Sequence, residues 1–181
     1  MSTLHIRTAT DADFDAVVRL RIAAEERLHS AGIDQWHNRE RGIRNLREGI
    51  QNGVTSVVTN PTGNVVATVT LAGPDPDWWH EEDVPESALY LYKLMINDDW
   101  RGTGLGDEIL DWACQRAQEK GKSSVRLDCW RTNTALQEYY KARGFRHLRT
   151  ETAPGRGSGA LFEREADVRT ATTEHLSTRG Q

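Results

Sequence analysis

Residues 91–106, LYKLMINDDWRGTGLG, decide how this chain folds. The apolar run Tyr90 to Ile96 reads as a strand and Asn97 to Trp100 as a short acidic turn. Arg101, Gly102, Thr103, Gly104, Leu105 and Gly106 then form a glycine loop. From Gly104 onward, Leu105, Ile109, Ala113 and Ala117 recur at four-residue steps, so a helix starts inside the loop. The glycines let the backbone turn tightly and leave N–H groups uncovered at a helix N-terminus, where the dipole favours an anion. Arg101 adds a cation with several donors for phosphate oxygens.

Other phosphate-binding loops fit less well. A nucleotide P-loop needs Gly-Lys-Ser/Thr, but Asp107 and Glu108 follow Gly106, which excludes that reading. A dinucleotide fingerprint needs two residues before its third glycine, and here only Leu105 intervenes. Arg-x-x-Gly-x-Gly after a strand instead resembles the acyl-CoA pyrophosphate loop of the GNAT (Gcn5-related N-acetyltransferase) superfamily. A second motif follows in the expected order. Val125, Leu127 and Cys129 alternate with Arg126 and Asp128 as a half-buried strand, and Asn133 to Arg143 reads as a helix closed by Gly144. Asn133 opening a helix that ends in Tyr140-x-x-x-Gly144-Phe145 resembles the corresponding GNAT element. The resemblance runs from about Leu4 to Phe162.

The 181 residues suggest one domain over 1–168 with a mobile polar tail over 169–181. With 37% hydrophobic and 28% charged residues, and no apolar run near the length of a bilayer span, the composition points to a soluble cytoplasmic protein without a membrane segment. Met1 to Ile6 does not read as a signal peptide. Cys114 and Cys129 fit neither a disulfide framework nor metal-ligand spacing, so buried thiols and no metal are expected. A net charge of −4 argues against nucleic acid as a partner.

Leu4, Ile6 and Thr8 alternate as a first strand, and Thr10 to Asp13 reads as a capping box before a helix to about His29. A second helix, about Asn38 to Gln51, turns Ile43, Leu46 and Ile50 inward. Val54 to Thr59 and Val65 to Leu71 form a hairpin around Asn60-Pro61-Thr62-Gly63. Residues 72–87 hold six acids, three prolines and two tryptophans with no Lys or Arg, and read as a long functional loop. Arg146 to Thr150 and Ala160 to Arg164 close the sheet.

The alternation by itself supports a mixed α/β domain. The resemblance implies the GNAT fold, an α/β (α+β) arrangement with a mixed twisted sheet of about six or seven strands flanked by about four helices. It also implies acetyl-CoA as cofactor. Leu94, Met95 and Ile96 would hold the pantetheine arm, Arg101 to Gly106 (Gly102, Thr103, Gly104, Leu105) the pyrophosphate, and Asn133 the arm. The Ile96 N–H would polarise the thioester carbonyl, and Tyr140 would be the general acid. By two-residue periodicity Tyr90 and Tyr92 share a face with Leu94 and Ile96, so no strong base stands there. The base candidates are His80, Glu81, Glu82, Asp83 and Glu86 of the acidic loop, with Glu82 put forward, or Asp128. Trp36, Trp78, Trp79, Glu81, Glu82, Asp83, Tyr92, Asp128 and Trp130 are the expected acceptor contacts. They suggest a small cationic amine, with an aminosugar or aminoglycoside-like antibiotic as the sharpest reading. A protein or peptide amine, and a coenzyme-binding module without catalysis, are the alternatives. The family often forms homodimers, and this chain is expected to allow one.

Overall fold

The computed structural model describes residues 3–177. Along them run β1 (Leu4–Thr8), α1 (Phe14–Ser30), α2 (Arg39–Gln51), β2 (Thr55–Thr59), β3 (Val65–Ala72), β4 (Ala88–Ile96), α3 (Leu105–Glu119), β5 (Ser124–Trp130), α4 (Thr134–Lys141), β6 (Arg146–Thr150), β7 (Ser158–Glu165) and β8 (Leu176–Ser177). The eight strands make one mixed sheet in the order β6-β7-β5-β4-β3-β2-β1-β8. The chain divides into two compact units, Met1–Leu71 with Lys93–Ile109 and Ala171–Gln181, and Ala72–Tyr92 with Leu110–Thr170.

In the first unit, Thr10 and Asp13 form the expected capping box ahead of α1. Arg7 grips the Asp13 carboxylate at 2.7 and 2.8 Å. That pairing, the largest cause, holds its pKa down to about 2. Val17, Leu20 and Ala24 of α1 and Leu46 and Ile50 of α2 pack with Val57 and Met95. Full burial of one such side chain contributes roughly 1.5–3 kcal/mol. The hairpin of β2 and β3 turns where expected, with the Asn60 carboxamide oxygen accepting from the Thr62 and Asn64 N–H groups at 3.2 and 2.9 Å. The tail departs from expectation. Glu108, in the first turn of α3, accepts from the Thr173 hydroxyl at 2.5 Å and from the His175 and Leu176 N–H groups at 3.0 and 2.6 Å. The segment up to Ser177 is therefore held, and Leu176–Ser177 pairs in parallel with β1 as an eighth strand. Residues 178–181 of the expected mobile tail lie outside the described residues.

In the second unit, β5 pairs antiparallel with β7 from Ser124↔Glu165 to Trp130↔Ser158, and β6 adds to β7. Behind them Leu110, Ala113, Cys114 and Ala117 of α3 are buried. Arg164, whose side chain is fully buried, donates to Asp111 at 2.5 Å and to the Arg143 and Val168 carbonyls. Cys114 and Cys129 are free and buried, as expected.

Candidate active site

The glycine loop belongs to the first unit. Gly102 and Gly104 take the left-handed φ values of 74° and 94°, and a Cβ on Gly104 would lie 2.5 Å from the Thr173 hydroxyl. Only glycine holds both positions without strain. The consequence is a run of five N–H groups, from Gly102 to Gly106, that donate to no described residue. The next two, of Asp107 and Glu108, return to the Gly104 carbonyl at 3.0 and 3.2 Å and start α3. Such a run of unsatisfied donors at a helix N-terminus suits a pyrophosphate. The Glu108 carboxylate is turned to the tail, where it accepts from Thr173, His175 and Leu176. Arg101 stands exposed beside the loop, 3.8 Å from Asp98.

The strand before the loop bears a break that alternation could not reveal. Lys93 has φ 53° inside β4. A left-handed residue in a strand shifts the side-chain alternation, so Tyr90 and Tyr92 cannot be placed with Leu94 and Ile96 by counting in twos. Met95 enters the core at 3% exposure, while Leu94 and Ile96 stay half-buried. The described parallel pairs of β4 with β5 run from Ala88↔Ser124 to Tyr90↔Arg126 and go no further.

In the second unit, Tyr140 is buried on α4, its ring edge-on to Tyr139 and Phe145 at 5.3 and 5.4 Å. Burial, the largest cause, raises its pKa well above the ordinary range, so the hydroxyl keeps its proton at neutral pH. Asn133 is buried and caps α4, accepting from the Leu136 N–H at 3.1 Å. Asp128, near the end of β5, receives a hydrogen bond from the Ser158 hydroxyl. Burial raises its pKa, with the Asp75 charge adding to the shift and Ser158 and Arg156 opposing it. Tyr92 donates to the Gly73 carbonyl at 2.6 Å. Trp130 is half-buried, its ring lying where a Cβ on Gly157 would be.

The acidic loop corrects several expectations. Trp78 and Trp79 are 0% and 4% exposed, so neither offers a face for stacking on a ligand. They anchor the loop instead, Trp79 edge-on to Tyr90 at 5.3 Å. Arg149 binds Asp83 through two hydrogen bonds of 2.7 and 2.8 Å and also reaches the Trp78 carbonyl. This pairing holds the Asp83 pKa down to about 2, too low for a useful base. Arg156 binds Asp75 at 2.6 Å and also Asp77. Glu81, Glu82 and Glu86 remain exposed. The expected acceptor contact Trp36 lies in the first unit, packed against its core.

Arg149 and Arg156 carried no sequence signal, since their partners are roughly seventy to eighty residues away. Among the described residues no group of three or more His, Cys, Asp or Glu could hold a metal. No described helix is long and apolar enough to cross a membrane.

A family model described as "Acetyltransferase (GNAT) family" matches residues 20–145. The "Uncharacterized N-acetyltransferase YesJ" of Bacillus subtilis is 26% identical over 159 residues, covering 84% of this chain and 85% of that protein. The mycothiol acetyltransferase of Corynebacterium aurimucosum is 34% identical over 83 residues, which span 46% of this chain but only 27% of that protein. A GNAT-family acetyltransferase structure from Listeria monocytogenes superposes with TM-score 0.73 at 22% identity, covering 88% of this chain and 93% of that one. The PaiA N-acetyltransferase of Thermoplasma acidophilum, solved in complex with coenzyme A, gives TM-score 0.68 at 16% identity over 90% of this chain and 99% of that one. Glycine loop, Tyr140 helix and mixed sheet thus occur in a chain that belongs to the acetyltransferase (GNAT) family, whose members carry out acetyl-CoA-dependent N-acetylation.

Proposed function

We propose that the chain acetylates the primary amine of a small acceptor by direct transfer. The observation that carries this reading is the run of five undonated N–H groups from Gly102 to Gly106, because it fits the pyrophosphate of the coenzyme. Acetyl-CoA, when bound, supplies the acetyl group as an activated thioester. Arg101 and the loop N–H groups hold the phosphates, and Leu94, Met95 and Ile96 present backbone groups for the arm. The Ile96 N–H polarises the carbonyl. Asn133 fixes the start of α4 and with it Tyr140, whose hydroxyl, kept protonated by burial, delivers a proton to the departing thiolate. Of the base candidates, Glu82 is exposed and Asp83 is paired. Asp128, whose pKa burial raises, is the candidate whose surroundings best suit a general base.

The finer reading, a cationic aminosugar or aminoglycoside-like acceptor, rests on Glu81, Glu82 and Glu86, the exposed acids of the loop that no arginine among the described residues pairs with. A peptide amine is the second reading, since the Thermoplasma volcanium Ard1 and the Brucella melitensis ribosomal-protein-alanine N-acetyltransferase are also structural neighbours.

The test is thiol release from acetyl-CoA across aminoglycosides, polyamines, amino acids and peptides, beside Tyr140→Phe and Asp128→Asn. Turnover on one amine class should fall about 100-fold or more in each variant, with coenzyme binding retained. Asp128→Asn should also remove the acidic limb of the pH–kcat profile. Coenzyme binding without turnover on any amine would replace catalysis by a binding role.

A further inference from the structure

Within the first unit the C-terminal segment touches the glycine loop in a way that the chemistry above does not use. The His175 Nε2 lies 3.3 Å from the Thr103 carbonyl oxygen, and the imidazole stands edge-on to the Trp100 ring with centroids 5.6 Å apart. A carbonyl oxygen only accepts, so Nε2 carries a proton and donates it. The backbone of His175 is held on two sides. Its carbonyl accepts from the Leu4 N–H at 2.7 Å, and its N–H donates to Glu108 at 3.0 Å. Glu108, 7% exposed, also takes the Thr173 hydroxyl and the Leu176 N–H, while Leu176 and Ser177 pair with Leu4 and His5. The imidazole is therefore presented to Thr103 from a fixed backbone.

What the contact governs is a peptide group. The amide joining Thr103 to Gly104 is planar and trans, so its C=O and N–H point to opposite sides. Gly104 holds φ 94°, and glycine reaches negative φ about as readily. Turning the amide over would thus meet no Cβ at Gly104, and it would bring the Thr103 oxygen to the side where the N–H now lies. An oxygen there repels an anion that an N–H would hold. The next amide has a lock of its own, since the Gly104 carbonyl accepts from the Asp107 and Glu108 N–H groups at 3.0 and 3.2 Å. The Thr103 hydroxyl donates to the Trp100 carbonyl at 2.8 Å, which fixes the side chain but not the direction of its own C=O. For that carbonyl the lock comes from His175, outside the loop.

We propose that His175 is a positioning residue for the coenzyme loop: by donating to the Thr103 carbonyl, it keeps the Gly104 N–H among the donors that a pyrophosphate can use. This deepens the acetyl-transfer reading and rests on its assignment of the loop to the coenzyme. Coenzyme affinity then depends on how the tail is seated against Glu108 and β1.

The test uses the full chain, with coenzyme A binding read by calorimetric titration and folding by thermal unfolding. The unaltered protein is compared with His175→Phe, which keeps a ring for Trp100 but cannot donate, and with His175→Gln, which gives up the ring but keeps an N–H donor. The dissociation constant for coenzyme A should rise about ten-fold in His175→Phe, the loss of one hydrogen bond to an anion. In His175→Gln it should return to within about three-fold of the unaltered value. In turnover the KM for acetyl-CoA should follow the same order, with kcat at saturation unchanged. A role in packing alone would reverse the order, phenylalanine binding normally and glutamine weakly. That reversal, or equal affinity in all three proteins, would overturn the proposal. Should a variant fail to fold, the unaltered chain decides: on titration with coenzyme A, the nitrogen-15 amide resonance of Gly104 should shift with those of its loop neighbours. A Gly104 resonance that stays still while they move would also overturn it. Absence of coenzyme A binding by the unaltered chain would sink the acetyl-transfer reading together with this inference, whereas binding indifferent to His175 sinks this inference alone.

Discussion

The glycine loop of residues 101–106 and the acidic loop of residues 72–87 both look functional in the sequence, yet they end in opposite electrostatic states. The first leaves its donors unpaired, and the second has its aspartates claimed by arginines from β6 and the turn after it. The contrast lies in what makes each loop. Backbone conformation at Gly102 and Gly104 follows from their lacking Cβ atoms, a strictly local property. Charge at Asp75, Asp77 and Asp83 depends on which side chains the fold brings beside them. A row of acids is therefore a weaker guide to its final surroundings than a row of glycines is to its backbone conformation.

Four measurements would break or sharpen this comparison. The largest effect is expected from Arg149→Gln, which leaves Asp83 and Glu151 with only His80 and frees the Trp78 carbonyl; stability should drop by about 2 kcal/mol in denaturant unfolding. A drop near zero would mean that the acidic loop is not stapled. Next, Gly104→Ala places a Cβ against Thr173 at a left-handed position and should raise the KM for acetyl-CoA about ten-fold, leaving the acceptor KM alone. An unchanged KM would remove the cradle from coenzyme binding.

The third is a pH series. Asp83 has an ordinary value of 3.8 and a folded value of about 2, so the folded state favours its ionised form. Its stabilisation is fully present above 3.8 and is lost as pH falls toward 2. Arg149→Gln should flatten that part of the stability curve, while the matching contribution of Asp13, paired with Arg7, persists. The smallest effect is expected from neutralising Glu81, Glu82 and Glu86 together by glutamine. The acceptor KM should rise about two- to three-fold with no change for acetyl-CoA, because exposed charges are screened. No change in the acceptor KM would discard the cationic-acceptor reading.

The fold was legible where local patterning suffices. Four-residue steps placed α3, Thr10 and Asp13 started the first helix, and Asn60 to Gly63 turned the first hairpin within a residue or two of the observed boundaries. Of the proposed site, the bend at Gly102 and Gly104 and the position of Tyr140 on α4 were legible for the same reason, since each is a short motif with its own local geometry. Four features were not. The β8 strand depends on Glu108 catching a polar tail, the left-handed backbone at Lys93 on strand context, the burial of Trp78 and Trp79 on arginines arriving from β6 and the turn after it, and the burial of Arg21 in α1 on Gly42 in another helix.

The sequence by itself therefore determined the elements, the glycine loop and the place of Tyr140 on its helix, because backbone conformation and periodic burial are set by neighbours in the chain. Only the tertiary structure decided which charges are spent and which remain. A side chain's protonation and availability depend on its partners within a few ångströms, and those partners come from far along the chain.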